Sequence, residues 1–155
     1  AKRGALDPVD DRGTGPDTWA ECVERWGPFD LDVAAAPHNA KCERFFTIDD
    51  NALTQPWDAR SVWCNPPYSN LGSWVLKAHE EFSAERATEI TMLLPANRTE
   101  QLWWQDHVEP YRERVVATHF LAKRRRFIRH GATEIKPNER PPFGLVVVRW
   151  SRGGL

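Results

Sequence analysis

One short string in this chain has residue types that suit a single kind of chemistry: Asn65-Pro66-Pro67-Tyr68. It offers two hydrogen-bond acceptors, the Asn65 side-chain carbonyl and the Pro66 main-chain carbonyl, and one flat ring, Tyr68. That set suits an exocyclic amine on a planar base. Such a nitrogen is a poor nucleophile, because its lone pair is delocalised into the ring. Acceptors placed on both amino hydrogens favour a more pyramidal nitrogen, whose lone pair can then attack a methyl group. Two consecutive prolines fix the backbone, so the acceptors are aimed before reaction. The Tyr68 ring can stack on the base. No acid, metal or covalent nucleophile is required if the methyl sits on a sulfonium, already an activated leaving group. The bland alternative is a rigid turn between a strand and a helix.

A second group lies upstream. Phe29-Asp30-Leu31-Asp32-Val33-Ala34-Ala35 places Asp32 at a strand's end and follows it with small side chains. There a carboxylate can accept from a hydroxyl or ammonium of a cationic, ribose-bearing cofactor, and small residues let the backbone approach it. Asp50 also follows a strand and can accept from a ribose hydroxyl or an adenine amine, with Asp49 competing for that role. Each carboxylate taken alone equally fits a loop cap or a surface charge. The five histidines have no metal-ligand spacing, so no metal is expected. Cys22, Cys42 and Cys64 are odd in number and widely spaced, which fits free thiols.

These residues need elements to hold them. Asp17 or Thr18 is expected to open a first helix, with Thr18 and Glu21 at capping-box spacing, an apolar face of Trp19, Cys22, Val23 and Trp26, and a stop at Gly27-Pro28. Strands are expected at 29–33, 44–48 and 61–64, the last stopped by the Asn-Pro-Pro-Tyr string. Ser73 can cap the next helix, whose stripe is Val75, Ala78, His79 and Phe82. A strand at 90–94 precedes a helix capped by Asn97 or Thr99 and carrying Leu102, Trp103 and Val108. Strands at 115–121 and 145–150 follow. Alternation of strands and helices predicts an α/β sheet covered on both faces. The last two strands, with no helical pattern between them, are expected to pair antiparallel at one edge.

The totals agree with one globular domain. Of 155 residues, 41% are hydrophobic and 28% charged. No apolar run approaches the roughly 20 residues of a membrane helix, and no leader pattern opens the chain, so a cytoplasmic protein is expected. Residues 1–16, rich in Gly, Asp, Pro and Arg, are expected to be a disordered or loosely held arm, with 17–155 the domain. A formal net charge of −1 hides an asymmetry: residues 1–60 carry −5 and residues 61–155 carry +4. A polyanion would therefore meet the C-terminal half. At 17.8 kDa, a monomer or weak dimer is expected.

Taken in order, Leu31-Asp32-Val33-Ala34-Ala35, Asn39-Ala40-Lys41-Cys42, Phe46-Thr47, Asp50, Leu53, Trp57 and Val62-Trp63-Cys64-Asn65-Pro66-Pro67-Tyr68 resemble the phage-encoded DNA N6-adenine methyltransferases, the Dam-like family of prophages. The likeness continues through Met92-Leu93-Leu94-Pro95-Ala96, Trp103-Trp104, Phe120-Leu121 with Phe127, and Pro142-Phe143 leading into Val146-Val147-Val148, so it spans roughly residues 17–150. It implies a three-layer, Rossmann-like class I methyltransferase fold and an adenine-specific DNA methyltransferase dependent on S-adenosylmethionine, acting in a bacterial host's cytoplasm. By the same resemblance Asn65, Pro66, Pro67 and Tyr68 are catalytic, and Asp32, Val33, Ala34, Asp50 and Asn65 meet the cofactor. The segment around Thr18 matches where such enzymes begin their cofactor pocket, with Thr18-Trp19 where Thr-Pro is common. Ala34-Ala35-Ala36-Pro37 stands where many methyltransferases have a glycine-rich loop.

An adenine inside a duplex cannot present its amine to a buried donor, so the base must be extruded or single strands used. Candidate phosphate contacts are Lys123, Arg124, Arg125, Arg126 and Arg129, together with Arg98 just after a strand end. The polar stretch 123–142 is the candidate for target recognition. Alternatives are methylation of RNA adenine, cytosine N4 or a protein glutamine, or a non-catalytic nucleic-acid-binding relative that kept the fold.

Overall fold

A computed structural model of the chain describes residues 12–125, 127–129 and 143–153. Its frame is a six-stranded sheet with one strand reversed. The strands are β2 (Leu31–Asp32), β3 (Arg44–Phe45), β4 (Ala59–Cys64), β5 (Ala87–Pro95), β6 (Val116–Phe120) and β8 (Leu145–Trp150), in the spatial order β3-β2-β4-β5-β8-β6. The first four run parallel. Strand β8 runs antiparallel to both β5 and β6, which gives the expected antiparallel pair at one edge.

The side chains alternate across this sheet and so define three layers. On one face, Val62, Cys64, Ile90, Met92, Leu94, Val146 and Val148 join Trp74, Val75, Ala78 and Phe82 of helix α2 (Leu71–Ser83) in the larger core. On the other, Trp63, Leu93, Leu145 and Val147 pack with Cys22 and Phe29 under helix α1 (Pro16–Trp26), with Trp19, Val23 and Trp26 against them. Helix α3 (Leu102–His107) lies beside α2; a Cβ at Gly72 would sit 3.2 Å from the Trp103 Cβ, so the small residue permits that approach.

Three expectations are corrected. Helix α1 begins at Pro16 with Gly15 as N-cap, and no side chain caps it; Thr18 lies inside the first turn and is buried. Proline at the first helical position sets the start, since its missing N–H would be unpaired there anyway. Ser73 and Asn97 or Thr99 do not cap either, because α2 grows out of a 3-10 turn at Tyr68–Asn70 and α3 follows Gln101. The loose arm is not borne out over its last residues. Arg12–Thr14 form β1, which pairs antiparallel with β7 (Phe127–Arg129) in a separate two-stranded ribbon, and Pro16 already belongs to α1. Residues 1–11 and most of 123–142, including Arg126, lie outside the described residues.

Candidate functional site

Asn65 is the first residue beyond β4, and Val33 the first beyond β2. These strands are parallel neighbours, so their carboxyl ends stand side by side. From β2 the chain moves outward to β3, then returns past β2 to β4 and continues the other way. That reversal is the place where ligands bind in open α/β sheets. A cavity of about 220 Å³ lies there, walled by Val33, Ala34, Ala35 and Ala36 from one loop, by Asn39, and by Thr47, Ile48, Asn51, Ala52 and Leu53 from the segment after β3. Asn65, Pro67 and the Trp74 ring complete it. Small side chains at 34–36 leave the room, while Asn39, Thr47, Asn51 and Asn65 bring polar atoms to an otherwise apolar lining.

The Asn65 side-chain amide is oriented. Its Nδ2 donates to Thr14 Oγ1 at 3.0 Å. Pro66 is buried, and Pro67 holds extended backbone (φ −63°, ψ 140°) into the 3-10 turn that carries Tyr68. Tyr68 packs on Phe143, with ring centroids 5.6 Å apart, and the Arg98 guanidinium lies 5.9 Å from its ring centre. Burial pushes the Tyr68 hydroxyl pKa up, against the lowering charge of Arg98, so the phenol stays neutral. The structure thus brings Asn65, Pro67, Val33 and Ala34 to one cavity and sets Tyr68 and Arg98 beside it.

Other expected site residues do different work. Asp32 is buried, and both carboxylate oxygens face backbone: Oδ1 accepts from Ala34 N at 3.2 Å and Oδ2 from Lys41 N at 3.0 Å. It shapes the 33–41 loop and does not line the cavity. Asp50 is exposed and turns back on Thr47, accepting from its N at 2.8 Å and its Oγ1 at 3.2 Å. Thr18 meets Arg125, not the cavity. Sequence reading missed Asn39, Thr47, Asn51 and Thr14. Asn39 had a local signal as a turn-favouring residue type: it closes a turn with Ala36, its Oδ1 accepting from Ala36 N at 2.8 Å and its own N donating to the Ala36 carbonyl at 3.0 Å.

Of the basic residues, Lys123 and Arg124 are exposed. Arg125 is a strut: its guanidinium pairs with Glu21 at 2.9 Å and donates to the Ala122 carbonyl at 2.7 Å. Arg129 stands in β7 opposite Arg12. Among the described residues no cluster of three or more His, Cys, Asp or Glu could hold a metal, and no helix is long and apolar enough to cross a membrane. The three cysteines are free; burial raises Cys22 and Cys42 to about 12 and Cys64 well above its ordinary value, so these thiols are poor nucleophiles.

Burial also pushes the Asp32 carboxyl up to about 6, against the Lys41 and Ala34 N–H groups, which lower it. Between about 3.8 and 6 the folded state then binds more protons than the unfolded one, so this group's contribution to stability falls as pH rises through that window. The whole fall is about 3 kcal/mol. Carboxyl NMR should place the Asp32 midpoint near 6. In Asp32→Asn, the fall in stability over that window should shrink relative to wild type; an Asp32 midpoint at the ordinary value would refute this.

A family model described as DNA N-6-adenine-methyltransferase (Dam) matches residues 5–151. A DNA N-6-adenine-methyltransferase of Escherichia phage T1 is 42% identical over 76 residues, 48% of this chain and 31% of that protein. The enzyme of the same name from Haemophilus phage HP1 is 42% identical over 65 residues, 42% of this chain and 38% of its own. The chain thus spans about a third of the length of these curated relatives. A solved structure described as a candidate RNA methyltransferase from Pyrococcus horikoshii matches 93% of this chain and 76% of its own, at 14% identity and a TM-score of 0.47, too distant to inform the site. With a family match over nearly its whole length, the chain belongs to the DNA N-6-adenine-methyltransferase (Dam) family.

Proposed function

We propose that this chain transfers a methyl group from S-adenosylmethionine to the N6 amine of adenine in DNA. The observation that carries this is the position of Asn65, whose oriented amide lines the cavity at the carboxyl ends of β2 and β4. Bound there, the cofactor supplies an electrophilic methyl on a sulfonium. The cavity suits it. Val33 to Ala36 leave room for close backbone approach, and Asn39, Thr47 and Asn51 would meet its polar groups. Asp32 and Asp50 serve indirectly, by holding the loops that form two of the walls.

The protein's own part is to hold the amine. The Asn65 Oδ1 accepts one amino hydrogen and the Pro66 main-chain oxygen the other, while Tyr68 stacks on the base. Neither acceptor is a base; they localise the nitrogen lone pair, and the methylated, positively charged nitrogen, strongly acidic, then gives its extra proton to water. Extruding the adenine from a duplex costs a few kcal/mol, on the scale of one base–aromatic stack plus phosphate contacts. Arg98 beside Tyr68, with the exposed Lys123 and Arg124, would supply those contacts; Arg129 and Arg126 extend the same segment. The site of action would be the host cytoplasm, and the working unit a monomer or weak dimer.

Plasmid DNA from cells expressing the chain should contain N6-methyladenine by mass spectrometry and change its sensitivity to adenine-methylation-dependent restriction. Methyl appearing instead in RNA, on cytosine N4 or on glutamine would replace the substrate assigned here.

A further inference from the structure

We infer that Thr14 is a positioning residue that holds the Asn65 side-chain amide in the orientation that lines the cavity. The inference rests on Asn65 acting as an acceptor for the amine. The Asn65 amide sits on two rotatable side-chain bonds, so its place in the wall has to be held. Swung out of the wall, it would offer its carbonyl to no amine, and the nitrogen lone pair would not be drawn out. Thr14 Oγ1 accepts from Asn65 Nδ2 at 3.0 Å, which turns Oδ1 away from β1. This hydroxyl is well placed for the task. Thr14 is only 2% exposed, so water does not compete strongly for the bond. Its backbone is fixed on both sides. Upstream, it pairs with Phe127 in the β1–β7 ribbon. Downstream, Gly15 caps α1 and its carbonyl accepts from Trp19 N at 2.9 Å. Thr14 touches neither substrate nor cavity in this scheme and acts only through Asn65.

The test compares Thr14→Val, which keeps the shape and removes the hydroxyl, with Thr14→Ser, which restores it. In T14V the turnover number is expected to fall about tenfold, the scale of one hydrogen bond lost in the reacting state, with cofactor affinity by calorimetry within about twofold. T14S should recover most of that loss. The Asn65 side-chain NH2 resonances, identified by their absence in Asn65→Ala, should shift in T14V and return in T14S. Should T14V not fold, Thr14→Ala takes its place. Wild-type turnover in T14V, or equal loss in T14V and T14S, would overturn the assignment. If the wild-type chain moved no methyl to adenine in DNA, the reading of the site would fail, while the amide resonances would still decide the Thr14–Asn65 bond.

Discussion

Asn65→Ala is expected to keep its cofactor and lose its chemistry. Turnover should fall by a factor on the order of 100 or more, the scale of removing one preorganised polar contact from a reacting centre. Cofactor affinity should stay near wild type for a structural reason. Asn65 is one of thirteen residues around the cavity, and the loops 33–39 and 47–53 that form most of its wall are held by Asp32, Asp50 and backbone pairing, none of which touches Asn65. The prolines that follow keep the backbone course through their own fixed φ. Single-turnover methylation and calorimetry on the same preparation separate the two effects. Unchanged turnover would remove the catalytic assignment. Loss of binding together with activity would instead make Asn65 a wall of the pocket.

Glu81→Ala should produce the largest loss of stability among single polar substitutions in the described fold. Glu81 is 1% exposed, inside α2. Oε1 accepts from the Trp57 backbone N–H, and Oε2 pairs with Arg86 at 2.6 Å and with Lys77 at 3.3 Å. Burial alone would raise its pKa, but Arg86, the Trp57 N–H and Lys77 outweigh that and hold it below its ordinary value. Truncation leaves a buried N–H without an acceptor and a void around it, costing about 3 kcal/mol. In a chain of this size that is a fall in Tm of about 6–12 °C. The depressed pKa fixes the sign of the pH dependence: the stabilisation is present above the unfolded value and is lost as pH falls through the folded one. Thermal melts of wild type and variant should therefore converge in acid. The effect should reach the cavity too, since Trp57 Nε1 donates to the Ala52 carbonyl at 3.0 Å and Ala52 is part of the wall. A Tm shift under about 2 °C would show that Glu81 is dispensable.

Much of the site was legible in the sequence where the governing contacts are local. An apolar run followed by two prolines cannot continue as a strand, so the end of β4 and the position of Asn65 just beyond it follow from residues 61–68 alone. Asp32, expected at the cofactor, turns its carboxylate to the backbone N–H groups of Ala34 and Lys41. A carboxylate at a strand end meets backbone N–H groups as readily as a ligand hydroxyl, and the sequence pattern is the same in both cases. Thr14 and Glu81 were invisible because their partners are distant, at separations of 51 residues for Asn65 and 24 for Trp57. Thr14 also sits in a Gly-, Asp- and Pro-rich stretch whose composition gives no hint of the pairing that orders it. The helix caps failed alike: Thr18, Ser73 and Thr99 have the right residue type, but Pro16 and the 3-10 turn at Tyr68–Asn70 decide where helices begin.

The two-stranded ribbon has a consequence for synthesis on the ribosome. Thr14 leaves the exit tunnel before its partner Phe127, which emerges only after more than a hundred further residues have been translated. At typical elongation rates that interval is on the order of 5–20 s, during which β1 has no strand to pair with. Asn65 and the cavity it lines can assemble in that time, yet the Thr14 hydroxyl bonded to its amide is not anchored until the nascent chain has passed residue 129. Competence for methyl transfer is therefore expected to arrive late, with the C-terminal strands, and a stalled chain ending before the ribbon closes would carry a formed pocket and a poorly aimed amide.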